Sequence, residues 1–139
     1  MEDRYLFKAK FDDSDRWAKG QLVEVNDTHL IIPNHASKIL AGWFSTSNVV
    51  EVKKDTICQC TGLKDKNGKL IWENDIVSYW DSYSTESGYA EADCIGKVVW
   101  DDETISFQVT NRLSAESWEV LDECSVIGNK FDNPELLEA

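Results

Sequence analysis

Cysteine, histidine and carboxylate side chains are the residues of this sequence that could perform chemistry, and their spacing limits which chemistry is available. The cysteines and histidines are Cys58, Cys60, Cys94, Cys124, His29 and His35. A zinc site usually contains C-x2-C pairs, and the Cys58-Gln-Cys60 spacing does not provide one. A catalytic Cys–His pair stays an open alternative, although no local signature surrounds any thiol. We interpret the cysteines as small buried hydrophobic residues and expect no metal and no cofactor.

The acidic residues form clusters at predicted turns and loops. They are Asp12, Asp13 and Asp15; Asp101, Asp102 and Glu103; and Glu116, Glu119, Asp122 and Glu123. Glycosidases and metal nucleases need two or three carboxylates that converge in a cleft. A catalytic role would therefore require carboxyl groups with a raised pKa meeting in a pocket. Solvated acids are expected at turns, so we predict that the protein is not an enzyme and has no catalytic residues.

The charge balance bears on the possible partners. The chain of 139 residues has 26 acidic and 14 basic residues, a formal net charge of −12. This charge disfavours close approach to phosphate polyanions, so we expect no direct nucleic-acid binding. The simplest meaning of the acidity is solubility. The alternative is an acidic mimic of DNA that occupies the DNA-binding site of a host protein.

The compartment follows from segments that the sequence lacks. No run of about 18 apolar residues occurs, and the opening MEDRYLFKAKF has no apolar core of a signal peptide. We therefore expect no membrane association, a cytoplasmic location and cysteines that remain thiols.

The dominant hydrophobic period is two, which predicts strands. The candidate strands are YLFKAKF, QLVEV, HLIIP, SNVVEV, TICQC, DIVSYW, CIGKVVW, TISFQV and CSVIG. Many short strands with few helices predict an all-β protein. We expect a single domain over 1–139, in which N-terminal strands (1–60) extend an SH3-like barrel (61–129). A short C-terminal helix beginning at Pro134 is expected in the tail (130–139), and the polar segment 81–93 is expected to be an exposed loop.

The stretch CTGLKDKNGKLIWENDIV, residues 60–77, contains the strongest turn signals. Asn67 and Gly68 can both take positive φ, which predicts a tight hairpin turn. Asn74 is predicted to lie in the left-handed region, and Asp75 to bond a following backbone amide. An anion-binding loop is the alternative, but the glycine spacing of a phosphate loop and a following helix are both missing.

This stretch, the later GKVVWDD and the closing VIGNKFDNPELLE resemble the YopX family of phage and prophage proteins. The matching residues are Gly62, Leu63, Asp65, Asn67, Gly68, Glu73, Asp75, Ile76, Val77, Ile127, Gly128, Asn129, Asn133, Pro134, Glu135 and Leu136. Asn74 departs from the family's glycine, and Cys60 from an aromatic residue. The resemblance implies a mostly β protein in the cytoplasm of a bacterial host. It implies no established activity for any residue.

The six tryptophans divide into predicted core residues and candidates for an interface. Trp72, Trp100 and Trp118 adjoin apolar runs and are predicted to lie in the core, whereas Trp17, Trp43 and Trp80 stand at predicted strand ends. The latter three could close one end of a barrel or mark a protein interface. We predict a protein interaction module with an unidentified protein partner, and a homo-oligomer is a further possibility.

Overall fold

The computed structural model describes residues 5–33, 49–85, 88–110, 115–116 and 123–137 of the chain. Its strands are β1 (Phe7–Lys10), β2 (Trp17–Val25), β3 (Thr28–Pro33), β4 (Val50–Glu51), β5 (Cys58–Lys64), β6 (Leu70–Trp72), β7 (Asp75–Thr85), β8 (Gly88–Asp101), β9 (Ser106–Thr110), β10 (Ala115–Glu116) and β11 (Ser125–Asn129). The mainly β class is thus confirmed. The chain divides into two compact units, Met1–Cys60 and Thr61–Ala139.

Short 3₁₀ turns at Lys54–Thr56 and Pro134–Leu137 accompany the strands. The second one begins at Pro134, where the sequence predicts a short C-terminal helix. Within the described residues, no helix is long and apolar enough to cross a membrane.

The first unit is built around the antiparallel strands β1, β2 and β3. Within this unit the strands pair in the order β4-β3-β2-β1, and Phe7 and Lys8 of β1 pair with Gln59 and Cys58 at the start of β5. Asn26 and Asp27 connect β2 to β3, and their φ values of 48° and 68° give the two-residue turn that this pair predicts. Alternation places small and branched side chains on one face, where Ala9, Ala18 and Ile31 form a buried core with Val52.

The second unit forms an antiparallel sheet in the order β10-β9-β8-β7-β11. Its core contains Ile71, Val77, Tyr79, Val98, Val109 and Cys124. The pairings of the described strands leave this sheet open, so the expected SH3-like barrel is not shown. The antiparallel strands and the tight turns that the sequence predicts are present in the described residues.

The segment 81–93 differs from the prediction of an exposed loop. Most of it forms the ends of β7 and β8, which pair continuously from Ile76 opposite Lys97 to Thr85 opposite Gly88. Strands were predicted from alternating apolar residues, and the serine and acidic residues of this segment do not alternate with apolar ones in that way. A hairpin around a tight turn extends two existing strands by backbone hydrogen bonds, which do not require apolar side chains.

Strands β8 and β9 form a hairpin around the acidic cluster Asp101, Asp102 and Glu103, which the sequence places at a turn, with Asp101 paired to Ser106. The Asp101 carboxylate accepts hydrogen bonds from the hydroxyl of Thr104 and from nearby backbone N–H groups. Ile105, 75% exposed, has a φ of 54°, which is unusual for a β-branched residue.

Close packing between β2 and β3 generates a first prediction. Gly20 lies opposite Pro33, and a Cβ at this glycine would stand 1.9 Å from the carbonyl oxygen of Ile32. The nearest atoms belong to the backbone of Ile32 and Pro33 and cannot rotate away. Gly20→Ala is therefore expected to lower the free energy of unfolding by about 2 kcal/mol or more. Urea unfolding would measure this, with Gln21→Ala, an exposed neighbour in the same strand, as the control. Equal stability of the two variants would contradict the prediction.

Candidate functional site

The two sequence motifs, far apart along the chain, meet in the second unit. Strand β11 from the closing motif pairs with β7 from the central motif, with Gly128 opposite Ile76 and Asn129 opposite Asp75. The register shifts between Val126 and Gly128, which leaves Ile127 as an extra residue. We call the polar residues around this pairing the motif junction; they are Asp65, Asn67, Asn74, Asp75, Asn129 and Asn133.

Asp65 is a buried acid of the motif junction whose carboxylate accepts three backbone hydrogen bonds. Its Oδ1 accepts hydrogen bonds from the N–H groups of Asn67 and Lys69, each at 2.9 Å. Its Oδ2 accepts one from the N–H of Val126 in β11, at 3.0 Å. The side chain is buried, with a relative exposure of 6%. One carboxylate therefore joins the β5–β6 loop to a strand 61 residues away.

These contacts set the charge state of Asp65. Removal from water by burial raises the pKa of this carboxyl, but the N–H donors of Val126, Lys69 and Asn67 and the charge of Lys69 lower it. Their combined effect holds the pKa of Asp65 below its ordinary value. A carboxyl held in this way is an ionised hydrogen-bond acceptor and does not fit the role of a general acid at neutral pH.

The β5–β6 turn differs from the prediction in the backbone conformation of one residue. Gly68 takes positive φ (84°), whereas Asn67, expected to do the same, does not. The N–H of Gly68 donates to the carbonyl of Asp65, and the N–H of Asp65 donates to the carbonyl of Lys69. This is the pattern of a turn followed by a left-handed glycine. The Asp65 side chain supplies the contact to the Asn67 N–H that sequence reasoning did not foresee.

Asn74 confirms the prediction of a left-handed residue, with a φ of 71°. In that conformation its N–H donates to the carbonyl of Val98, and its carbonyl accepts from the N–H of Lys130. The neighbouring Asp75 was expected to bond a following amide. Its Oδ2 accepts from the N–H of Trp72, which lies three residues before it, at 2.8 Å.

The closing motif is held by two asparagines. The Oδ1 of Asn129 accepts from the N–H groups of Phe131 and Asp132. Asn133 does not cap the C-terminal turn through its side chain: its Oδ1 accepts from the N–H of Asn129, at 3.2 Å. A Cβ at Gly128 would stand 2.5 Å from that oxygen, so the contact requires a glycine there.

The other motif residues also have structural positions. Gly62 takes a φ of 80°, Leu63 packs against the core of the second unit, and Glu73 is half-buried. Ile127 is 40% exposed at the register shift. The contacts described for the motif junction are thus mainly with backbone groups, which is an architectural arrangement.

The tryptophans separate into distinct environments. Trp72 is buried as predicted, but Trp100 is 43% exposed and is not a core residue. Its ring meets Phe107 edge-on, and its Nε1 donates to Asp102 at 2.7 Å. The error arose because Trp100 follows an apolar run but lies at the end of β8, beside the turn. Trp43 and Trp118 lie outside the described residues.

Trp17 is half-buried, and sequence reasoning missed its surroundings. The ammonium groups of Lys8 and Lys10 lie 4.8 and 5.5 Å from its ring centroid, a cation–π arrangement. Both lysines are buried, although the alternation of β1 places them opposite its apolar face. Their alternation with apolar residues is the pattern of a solvated face, so the sequence contains no signal for this burial.

Trp80 is 59% exposed, more than Trp17, the other candidate interface residue in the described part of the chain. It lies in β7 opposite Asp93, and Ile95, 39% exposed, lies two residues further along β8 opposite Ser78. This diagonal relation on one face of a sheet brings an aromatic side chain within reach of its neighbour. The adjacent Tyr79 points to the other face and is buried in the core. We call Trp80 and Ile95 the apolar patch.

The residues first considered for chemistry are dispersed. Cys58 and Cys60 are buried in β5, and Cys124 belongs to the core of the second unit. His29 in β3 lies 3.6 Å from a carboxylate oxygen of Glu24. Within the described ranges, no group of three or more histidine, cysteine or acidic residues is arranged to hold a metal ion.

Comparison with known proteins agrees with the motif geometry. The family model described as "YopX protein" matches residues 7–138, nearly the whole chain. The chain belongs to the YopX family. No curated protein matches it. In this YopX chain the motif junction contains five of the residues that carried the sequence resemblance, together with Asn74, which departs from the family's glycine but keeps its left-handed conformation.

The contacts of Asp65 generate a pH prediction. Asp65→Asn keeps an oxygen acceptor for the turn but places an N–H₂ group against the N–H of Val126. We therefore expect the free energy of unfolding to fall by about 1–3 kcal/mol at neutral pH. Because the folded pKa of Asp65 is lowered, its contribution is complete above the ordinary pKa of about 3.9 and is lost as the pH falls through the folded value. The variant and the parent should therefore converge in stability in acid.

Denaturant unfolding from neutral pH to roughly pH 2.5 would measure this convergence. Asp12→Asn, at an exposed acid of the first unit, serves as the control. A stability difference between parent and Asp65→Asn that stays constant over the whole range would show that charge at Asp65 is not responsible.

The φ of Asn74 predicts the ranking of two substitutions. Asn74→Gly and Asn74→Ala both remove the side-chain amide, so the difference between them isolates the backbone. Because a Cβ costs about 1–2 kcal/mol in the left-handed region, the glycine variant should be more stable than the alanine variant by about 1 kcal/mol. Thermal unfolding of the two proteins side by side is the measurement, and an equal or reversed order would contradict the assigned backbone conformation.

Proposed function

We propose that this YopX-family chain is a non-enzymatic protein–protein interaction module that acts in the cytoplasm of a bacterial host. The observation that carries the proposal is the apolar patch, Trp80 at 59% and Ile95 at 39% exposure on one face of the second unit's sheet. Tryptophan is among the residues that contribute most to binding at protein interfaces, because it buries a large area with few rotatable bonds.

The motif junction supports the same proposal indirectly. Its polar side chains are engaged with backbone groups, and neither Asp65 nor Asp101 has the raised pKa that an acid catalyst needs. The hydrogen bond from the Thr104 hydroxyl is the largest effect on Asp101, and it lowers the pKa of that carboxyl. The polar residues of the motif junction stabilise the strand arrangement of the second unit, and the sheet of that unit carries the apolar patch.

A second candidate function is an acidic decoy that occupies a nucleic-acid-binding site on a host protein. The distribution of charge favours it: residues 61–139 contain 17 acidic and 6 basic residues, whereas residues 1–60 contain 9 and 8. The net negative charge is therefore concentrated in the second unit. A decoy needs these charges aligned along a stripe with the spacing of a nucleic-acid backbone.

Affinity capture from a nuclease-treated host lysate, eluted with increasing salt, separates the two functions. The bait is the full chain, the test variant is Trp80→Ser with Ile95→Ser, and the control is Val25→Ser, an equally exposed apolar residue of the first unit. A partner that the parent and the control retain at high salt, and that the test variant loses, is the expected result.

Other outcomes contradict the interaction module. A nucleic-acid enzyme released at low to moderate salt, with equal capture by the test variant, would establish the acidic decoy. Capture of the chain itself and of no other protein would indicate self-association as the function of the patch.

A further inference from the structure

Strands β7 and β8 extend beyond every described strand that pairs with them. Pairing of β11 with β7 reaches Ser78, and pairing of β9 with β8 begins at Lys97. The two strands nevertheless continue as a pair to Thr85 and Gly88. We call residues 79–85 and 88–96 the ribbon. A two-stranded ribbon is only marginally stable in water, and its edges present backbone groups that can pair with another chain.

The direction of the backbone groups on β8 follows from one hydrogen bond. The carbonyl of Val98 accepts from the N–H of Asn74, on the side of β7. Successive residues of an antiparallel strand direct their N–H and C=O groups to opposite sides. The β7–β8 register has no shift, so the odd-numbered residues direct these groups away from β7. They are Tyr89, Glu91, Asp93 and Ile95.

Pairing of the described strands along the outer edge of β8 stops at Lys97. Thr110 at the end of β9 pairs both with Lys97 of β8 and with Ala115 of β10. Among the described strands, none pairs with the odd-numbered residues 89–95 on the side of β8 away from β7.

The charge of the ribbon indicates the kind of chain that fits this edge. Residues 79–85 and 88–96 contain three acidic residues, Asp81, Glu91 and Asp93, and no lysine, arginine or histidine. Two copies paired antiparallel around Ala92 would place Glu91 of each directly opposite Asp93 of the other, and like charges in that relation destabilise a sheet. A segment with lysine or arginine at alternate positions would form favourable pairs at the same positions.

We propose that the outer edge of β8, residues 88–95, binds an extended basic segment of another protein as an added strand. Backbone hydrogen bonds from the odd-numbered residues provide the pairing, and the apolar patch at the base of the ribbon contacts an apolar side chain of the segment. This inference rests on the proposed function and specifies the chemistry of the partner.

The test uses the full chain and synthetic peptides with blocked ends. The first peptide alternates lysine and valine, the second is its backbone N-methylated counterpart, and the third alternates glutamate and valine. Calorimetric titration should show binding of the lysine peptide and none of the other two, because N-methylation removes the N–H donors and glutamate reverses the charge. Equal binding of the first two peptides, or no binding of the lysine peptide, would overturn the proposal.

Two substitutions at one position separate pairing from charge. Asp93→Pro removes an outward N–H and a charge, whereas Asp93→Ala removes the charge alone. The proline variant should bind the lysine peptide about fivefold more weakly than the alanine variant, the effect of one hydrogen bond. Equal affinities would overturn strand addition. If the proline variant does not fold, as judged by circular dichroism, the N-methylated peptide decides the question.

Failure of this inference is distinguishable from failure of the proposed function. A host partner lost on Trp80→Ser with Ile95→Ser, together with no binding of the lysine peptide, leaves the interaction module standing and overturns the strand addition. A dimer in sedimentation that Asp93→Pro dissociates would identify a second copy as the occupant, and would overturn the basic segment.

Discussion

The Asp65 carboxylate is the contact on which much of the second unit depends. It accepts three N–H groups, two from its own turn and one from Val126 in β11. A buried acceptor that loses such partners costs more free energy than each bond contributes when formed, so the arrangement penalises alternatives to this register. The same carboxylate therefore shapes a local turn and selects a distant strand.

Around that contact, the polar residues of the YopX motifs fix backbone conformations and satisfy backbone hydrogen-bonding groups. Asn74 adopts a conformation that gives its N–H to Val98 and its carbonyl to Lys130, which joins three segments. Gly128 leaves space for the Asn133 side chain, which accepts the N–H of Asn129. These residues, which look suited to ligand binding when read in sequence, thus make structural contacts in the fold.

The surface of the second unit combines an apolar contact with a strong negative charge. Trp80 and Ile95 lie opposite the buried Tyr79 face of the sheet, so they add nothing to the core described for that unit. The acidic ribbon next to them extends past its neighbouring strands. The proposed binding of an extended basic segment draws on an aromatic anchor, on the backbone groups of β8 and on the negative charge of this region.

The sequence by itself determined the β class, the Asn26–Asp27 turn, the left-handed Asn74, the start of the last turn at Pro134 and the family. These are local properties, since alternation and φ preferences depend on neighbouring residues. Tertiary structure decided that Asp65 meets Val126, that residues 79–85 and 88–96 form a ribbon, that Lys8 and Lys10 are buried, and that Trp100 is exposed. Each of those outcomes depends on which distant strands pair and in which register, and the residue types of one segment do not encode that choice.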